Sequence, residues 1–158
     1  HGTSILGRMD ANARTVFDRI LEGELPCHRV DEDAHTLSFL DIAPLSPGHT
    51  LVIPKQRVAS FHDLSDESAA AMGRAVRRVA AAVLQVTGAP GYNLLQNNGS
   101  IAHQAVFHVH VHIIPRYGED GGDRGLGLVW QPLEESTERL DRLAQSLRDA
   151  LDGEAEGA

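Results

Sequence analysis

A chain of 158 residues, 42% apolar and 23% charged, is long enough for one domain with a genuine core and has the composition of an ordinary globular protein. Its formal charge of −8, with Lys55 as the one lysine, excludes a nucleic-acid binder that works by neutralising many phosphates, so any phosphate recognition must be local. Cys27 has no second cysteine to pair with, no apolar run reaches the roughly 18 residues of a membrane span, and no signal peptide precedes the fold, which makes the cytoplasm the expected compartment.

Residues 1–8 precede Met9 and read as an expression-tag remnant. A single domain is expected over 9–152, with 153–158 as an acidic frayed tail. From Asn12 to Leu21 the apolar residues Val16, Phe17, Ile20 and Leu21 fall at helical spacing, with Asn12 or Asp10 as cap and Gly23 as the stop. Segments Cys27 to Asp31 and His35 to Leu40 alternate around Glu32-Asp33-Ala34 and predict a β-hairpin. Asp41 closes it, either as a turn residue or as a carboxylate that can accept from both hydroxyls of a ribose. Pro44 and Pro47-Gly48 break the chain before the continuous apolar strand Thr50 to Ile53, with His49 at its entrance. Lys55 and Arg57 beyond it read as surface charges.

Ser65 can cap a long helix whose stripe is Met72, Val76, Val79, Val83 and Val86, ending at Thr87-Gly88. Arg74, Arg77 and Arg78 lie off that stripe and read as a solvated face. Ala89-Pro90-Gly91 turns the chain into a strand from Tyr92 to Gln96. The loop Asn97 to Ala105 is rich in amide side chains and free backbone, which suits it to donate hydrogen bonds to phosphate oxygens.

From Gln104 to Arg116, histidines 108, 110 and 112 alternate with Phe107, Val109, Val111 and Ile113, the pattern of a half-buried strand. Same-face neighbours on a strand are about 6.6 to 7 Å apart, so a phosphoryl group can touch two of these imidazoles at once. A purely structural row would need a separate partner for every ring. A zinc or iron site would want a carboxylate or cysteine alongside the rings, where the flanks offer Gln104, Asn97 and Asn98. Past Arg116, five glycines between Gly118 and Gly127 predict a mobile loop, and Leu140, Leu143, Leu147 and Leu151 make a helical stripe that suits packing on its own domain or across a dimer.

His108-Val109-His110-Val111-His112-Ile113-Ile114 resembles the signature of the histidine triad (HIT) family, and the likeness extends through Asn97-Asn98-Gly99, Gln104, Phe39-Leu40-Asp41-Ile42 and His49-Thr50-Leu51-Val52-Ile53-Pro54-Lys55, over most of residues 15–132. The resemblance implies an α+β fold, a five-stranded antiparallel sheet with packed helices, in a homodimer. It implies a Hint-like hydrolase or transferase acting on the α-phosphate of AMP conjugates, with no cofactor and no metal. His110 takes the nucleophile position, His112 contacts the phosphate and leaving group, and His108 and His49 orient them. Asp41 takes the ribose position, Asn97 and Gln104 the phosphate, and Phe17, Ile20 and Leu21 the base. His103 stands where relatives usually have glycine and Ala105 where many have a hydroxyl, which bears on substrate range. Thr15 and Asp18 replace a Cys-x-x-Cys pair that forms half of a structural zinc site in many bacterial relatives. Trp130 takes the place of a tryptophan able to reach the partner subunit's active site. The alternatives are cleavage of dinucleoside polyphosphates or adenylyl sulfate, a nucleotide-binding interaction protein with weak catalysis, and a metal-binding protein.

Overall fold

Strands whose side chains alternate at a period of two give a sheet with two unlike faces, and here each face is covered by a helix of different length. The computed structural model describes residues 14–118 and 125–157. The chain, read from sequence as one domain over 9–152, divides into two compact units, His1–Gly125 and Leu126–Ala158. The first unit holds α1 (Val16–Leu21), β1 (Arg29–Glu32), β2 (Thr36–Leu40), β3 (Thr50–Pro54), α2 (Asp66–Thr87), β4 (Gly91–Gln96) and β5 (Val111–Arg116). The strands form the expected five-stranded sheet in the order β1-β2-β3-β5-β4, every neighbouring pair antiparallel.

Ser65 caps α2 by accepting from the Ser68 N–H at 3.1 Å, and Gly88 closes it in the left-handed conformation. The helix covers one sheet face, packing Met72, Val79 and Val83 on Val52, Val109, Val111 and Ile113. The stripe differs from the sequence pattern at its end. Ala71, Ala75 and Ala80 carry much of the contact, while Val86 is 86% exposed. Small side chains let the helix approach the sheet closely, and Val86 turns to solvent. Arg78 is anchored, reaching back to Asp31 at 2.6 Å and Asp33 at 3.0 Å at the β1–β2 turn.

On the opposite face α1 packs Phe17 on Leu37, Phe39, Leu51 and Ile53. The expected caps, Asp10 and Asn12, lie outside the described residues, and the described helix starts at Val16, the first of the apolar positions. Thr15 is its cap: the Asp18 N–H donates to Thr15 Oγ1 at 3.2 Å, and Asp18 Oδ2 accepts from the Thr15 N–H at 2.7 Å. This reciprocal box satisfies two orphan donors and fixes where a six-residue helix begins.

The histidine segment is a second correction. Ladder pairing begins at Val111, not Gln104, so of the three histidines only His112 lies in β5. The alternation persists upstream all the same, because Val109 donates its N–H to Val58 O and joins the α2 core while His108 faces Phe17.

In the second unit α3 spans Thr137–Gly157, and Leu140, Leu143, Leu147 and Leu151 are exposed on it, as is Trp130 ahead of it. The expected tag remnant and most of the glycine-rich run (119–124) lie outside the described residues. Among the described residues no helix is long and apolar enough to cross a membrane.

Candidate active site

Six residues of helix cannot cover a five-stranded face, and the uncovered part is a cleft of about 660 Å³. Strand register lays its floor. Phe39 pairs with Leu51, Leu51 with His112, and His112 with Leu95, so one row of same-face side chains crosses four strands. All four line the cleft. Phe17, Ile20, Leu25 and Pro26 wall one end, Asp41 and Ile42 the rim, and Asn97, His103 and Ala105 the other side, with His110 and His112 inside. The space is mostly apolar with a few convergent polar groups, the usual character of a small-molecule site.

The ring nitrogens form a chain whose proton positions follow from its fixed ends. Leu45 donates its backbone N–H to His49 Nδ1 at 3.0 Å, so in neutral His49 the proton sits on Nε2. That Nε2 lies 2.9 Å from His112 Nδ1 and 3.5 Å from Asp41 Oδ2. Donation to His112 leaves the His112 proton on its own Nε2. In the second chain His108 Nε2 donates to Pro54 O at 2.8 Å, and His110 Nδ1 donates to the backbone O of His108 at 2.7 Å. His110 Nε2 is therefore the atom with a free lone pair, on a ring that lines the cleft.

Burial favours the neutral form of His110, His112 and His49. It lowers the pKa of His110 against the opposing hydrogen bond to His108, and it pushes His112 down to about 4, with His110 and His49 adding to the effect. Burial also lowers His49, with Asp41 opposing. Gly48 sets the entry of His49. It has φ +91°, and a Cβ there would meet Thr87 Cγ2 at 2.9 Å, so no side chain fits.

The HIT domain profile matches residues 22–119. The chain belongs to the HIT family. This HIT protein is 46% identical over 136 residues to adenosine 5'-monophosphoramidase hnt1 of Schizosaccharomyces pombe, covering 86% of this chain and 97% of that one. It is 38% identical to adenylylsulfatase HINT3 of Arabidopsis thaliana over 84% of this chain and 64% of that one. Among solved structures, the histidine triad nucleotide-binding protein of Candida albicans superposes with a TM-score of 0.78 at 37% identity, covering 89% of this chain and 99% of that chain.

Within the HIT protein's cleft the expected residues sort unevenly. Phe17, Ile20, Asp41, Asn97, His103, Ala105, His110 and His112 line it. His108 is fully buried behind His110, and His49 stands behind His112. Leu21 does not line the cleft; with Leu37 and Lys55 it lines a neighbouring hollow of about 360 Å³ that shares Ile20 and Cys27 with the cleft. Gln104 is turned into the loop. Its Oε1 accepts from the Gly99 N–H at 2.7 Å, and its Nε2 donates to Ala59 O and Val106 O, so neither amide hydrogen is left for a phosphate oxygen. His103 is the one described non-glycine residue at positive φ, 71°, so it keeps a backbone conformation that favours glycine. Sequence reasoning missed Leu51 and Leu95, whose signal is strand register, and Asp18, whose signal was the Thr15-x-x-Asp18 box.

Asp41, His49 and His112 also bring three potential ligand atoms within 4.8 Å of one another. They fit a cation poorly. With His49 Nδ1 already accepting from Leu45, coordination through Nε2 would strip its last proton and make the ring an anion.

Proposed function

We propose that this HIT protein hydrolyses the phosphorus–nitrogen bond of AMP–amine conjugates through a nucleotidyl intermediate on His110. The observation that carries this reading is the pinned Nδ1–H of His110, which leaves Nε2 as a neutral nucleophile in the cleft. The adenine ring takes the apolar end at Phe17, Ile20 and Leu25, and Asp41 accepts from the ribose hydroxyls. The α-phosphate then lies between His110 and His112, with Asn97 donating to its oxygens.

His110 Nε2 attacks phosphorus and the bond to the amine breaks. Phosphate charge beside His112 offsets the burial that lowers its proton affinity, so the bound complex carries one extra proton on that ring, at Nδ1, with the His49 Nε2–H turned to Asp41 Oδ2, 3.5 Å away; the leaving amine takes the His112 Nε2 proton. Water then attacks the nucleotidyl-histidine, gives its proton to His112 and releases AMP, restoring both rings. Positioned acid–base transfer of this kind contributes typically 10² to 10⁴-fold.

A homodimer and a cytoplasmic location belong to the same reading. The dimer is supported by β4, an edge strand with Tyr92 41% and Leu94 52% exposed beside an apolar hollow shared with Met72 and Val76 of α2, where a second copy can pair its own β4. The location is supported by the unpaired Cys27.

Incubation with an AMP–amine conjugate, diadenosine polyphosphate and adenylyl sulfate in separate vessels, each with and without a chelator, tests the reading. The amine conjugate should turn over fastest and chelator should have no effect. Faster release from adenylyl sulfate would move the assignment to the activity named for the Arabidopsis relative, and tight AMP binding without turnover would make the cleft a binding site.

A further inference from the structure

One buried charge is left unused by this chemistry. Asp18 is 5% exposed, and its carboxylate faces three elements at once. Oδ2 accepts from the Thr15 N–H of its own helix cap and lies 3.1 Å from Arg57 Nε on the segment after β3. Oδ1 lies 3.4 Å from His108 Nδ1. His108 has no exposure, and its Nδ1 makes no hydrogen bond at that distance.

His108 therefore sits between two acceptors, Pro54 O at Nε2 and Asp18 Oδ1 at Nδ1. An imidazole with one proton satisfies only one of them. Since Nε2 already donates at 2.8 Å, a singly protonated ring would aim its Nδ1 lone pair at a buried carboxylate oxygen. Two lone pairs facing each other away from water leave both groups unsatisfied. A proton on Nδ1 turns the same contact into a charge-assisted hydrogen bond, and closing the gap by about 0.5 Å gives it ordinary length. The charged and titratable groups facing this ring are Asp18 from α1, Arg57 behind Asp18, and His110 two residues along its own segment.

We propose that Asp18 is a positioning residue of the triad: its carboxylate, held by Arg57, receives an Nδ1–H from His108 and so clamps the ring whose backbone carbonyl aims His110. The clamp deepens the phosphoramidase reading and its effect on rate rests on that reading, but the contact itself does not. It also ties α1, and with it Phe17 on the wall of the cleft, to the nucleophile. A shift of His108 would move the carbonyl that holds the His110 Nδ1–H, and a displaced nucleophile loses rate without losing affinity.

The test uses the full chain labelled with ¹⁵N. Imidazole ¹⁵N–¹H correlation at neutral pH should show both His108 nitrogens protonated, and Asp18→Asn should reduce this to Nε2 alone. In the same variant kcat for the AMP–amine conjugate should fall by about 10-fold, as for loss of an orienting partner, while KM stays within about twofold. Ser65→Ala is the control. It removes the side-chain cap of α2, on the other face of the sheet, so it should lower Tm and leave kcat alone. A parent protein whose His108 Nδ1 carries no proton, or an Asp18→Asn enzyme with parental kcat, overturns the clamp. If Asp18→Asn does not fold, the parent spectrum and the kcat of Arg57→Gln, which keeps the carboxylate and the box, decide in its place. A parent that turns over no AMP conjugate sinks the phosphoramidase reading and leaves the spectrum to judge the contact.

Discussion

The two faces of the one sheet show how a site arises here. On one side the 22 residues of α2 cover most of the surface and pack Ile113, Val109 and Val52 out of contact with water. On the other the six residues of α1 cover only part, and the remainder is the cleft. Because β5 alternates, Ile113 points to the closed face and His112 to the open one, so adjacent residues serve packing and chemistry separately. Substitutions on the two faces should therefore report different quantities. His110→Ala should lower kcat at least about 10³-fold, since it removes the proposed nucleophile, while AMP affinity and Tm change little. Ile113→Ala should do the reverse, costing about 2–5 kcal/mol in denaturant unfolding with kcat per folded molecule kept. Near-normal turnover by His110→Ala, or a kcat loss in Ile113→Ala that outstrips the loss of folded protein, would erase the distinction.

Acid should separate the faces as well, because only the open one carries titrating rings. An ordinary histidine titrates near 6.5. His110 and His49 are held below their ordinary value mainly by burial, and His112 down to about 4. A group with a depressed folded pKa stays deprotonated to lower pH, so His110 keeps its free lone pair through 6.5; because the bound complex takes up one proton at His112, kcat/KM should rise as pH falls through that range and turn down only on approach to the lowered values. Stability follows the same sign. Below about 6.5 the unfolded chain binds protons that the folded rings refuse, so unfolding free energy should fall from there toward about 4. A kcat/KM profile that breaks at 6.5 would mean that the rings are hydrated in the free enzyme.

Much of this was legible before any coordinates. The hairpin, the Ser65 cap, the buried third strand and the presence of one histidine face all follow from local periodicity and capping chemistry. What local periodicity does not carry is pairing between distant strands. The floor row of Phe39, Leu51, His112 and Leu95 exists only in register, and the start of β5 at Val111 depends on where β3 and β4 end. Gln104 looks like a phosphate donor in sequence because its amide is polar and near the triad. Its three loop bonds are made to Gly99, Ala59 and Val106, one of them 45 residues away. Asp18 was hidden for a related reason, since an acid in a first helical turn reads as surface until Arg57 and His108 are seen on either side of it.

The smallest expected effect tests the rim of the open face. His103 has φ 71° at the end of the short turn Ser100–Ala102, a conformation that costs a side chain with a Cβ roughly 1–2 kcal/mol. Its bonds at that turn run through the backbone, from its N–H to Ser100 O and from Asn97 Nδ2 to its O, so glycine keeps them. Glycine also gains freedom in the unfolded chain, which returns part of the relief. His103→Gly should therefore raise stability by only about 1 kcal/mol, read as a small rise in Tm. The imidazole lines the cleft beside Asn97 and Ala105, so its removal opens space on the side away from the base pocket. KM for conjugates of bulky amines should fall relative to small ones while kcat for the small ones holds. A lower Tm in this variant would show that the ring supports the loop, and an unchanged preference between bulky and small amines would show that it stands clear of the leaving group.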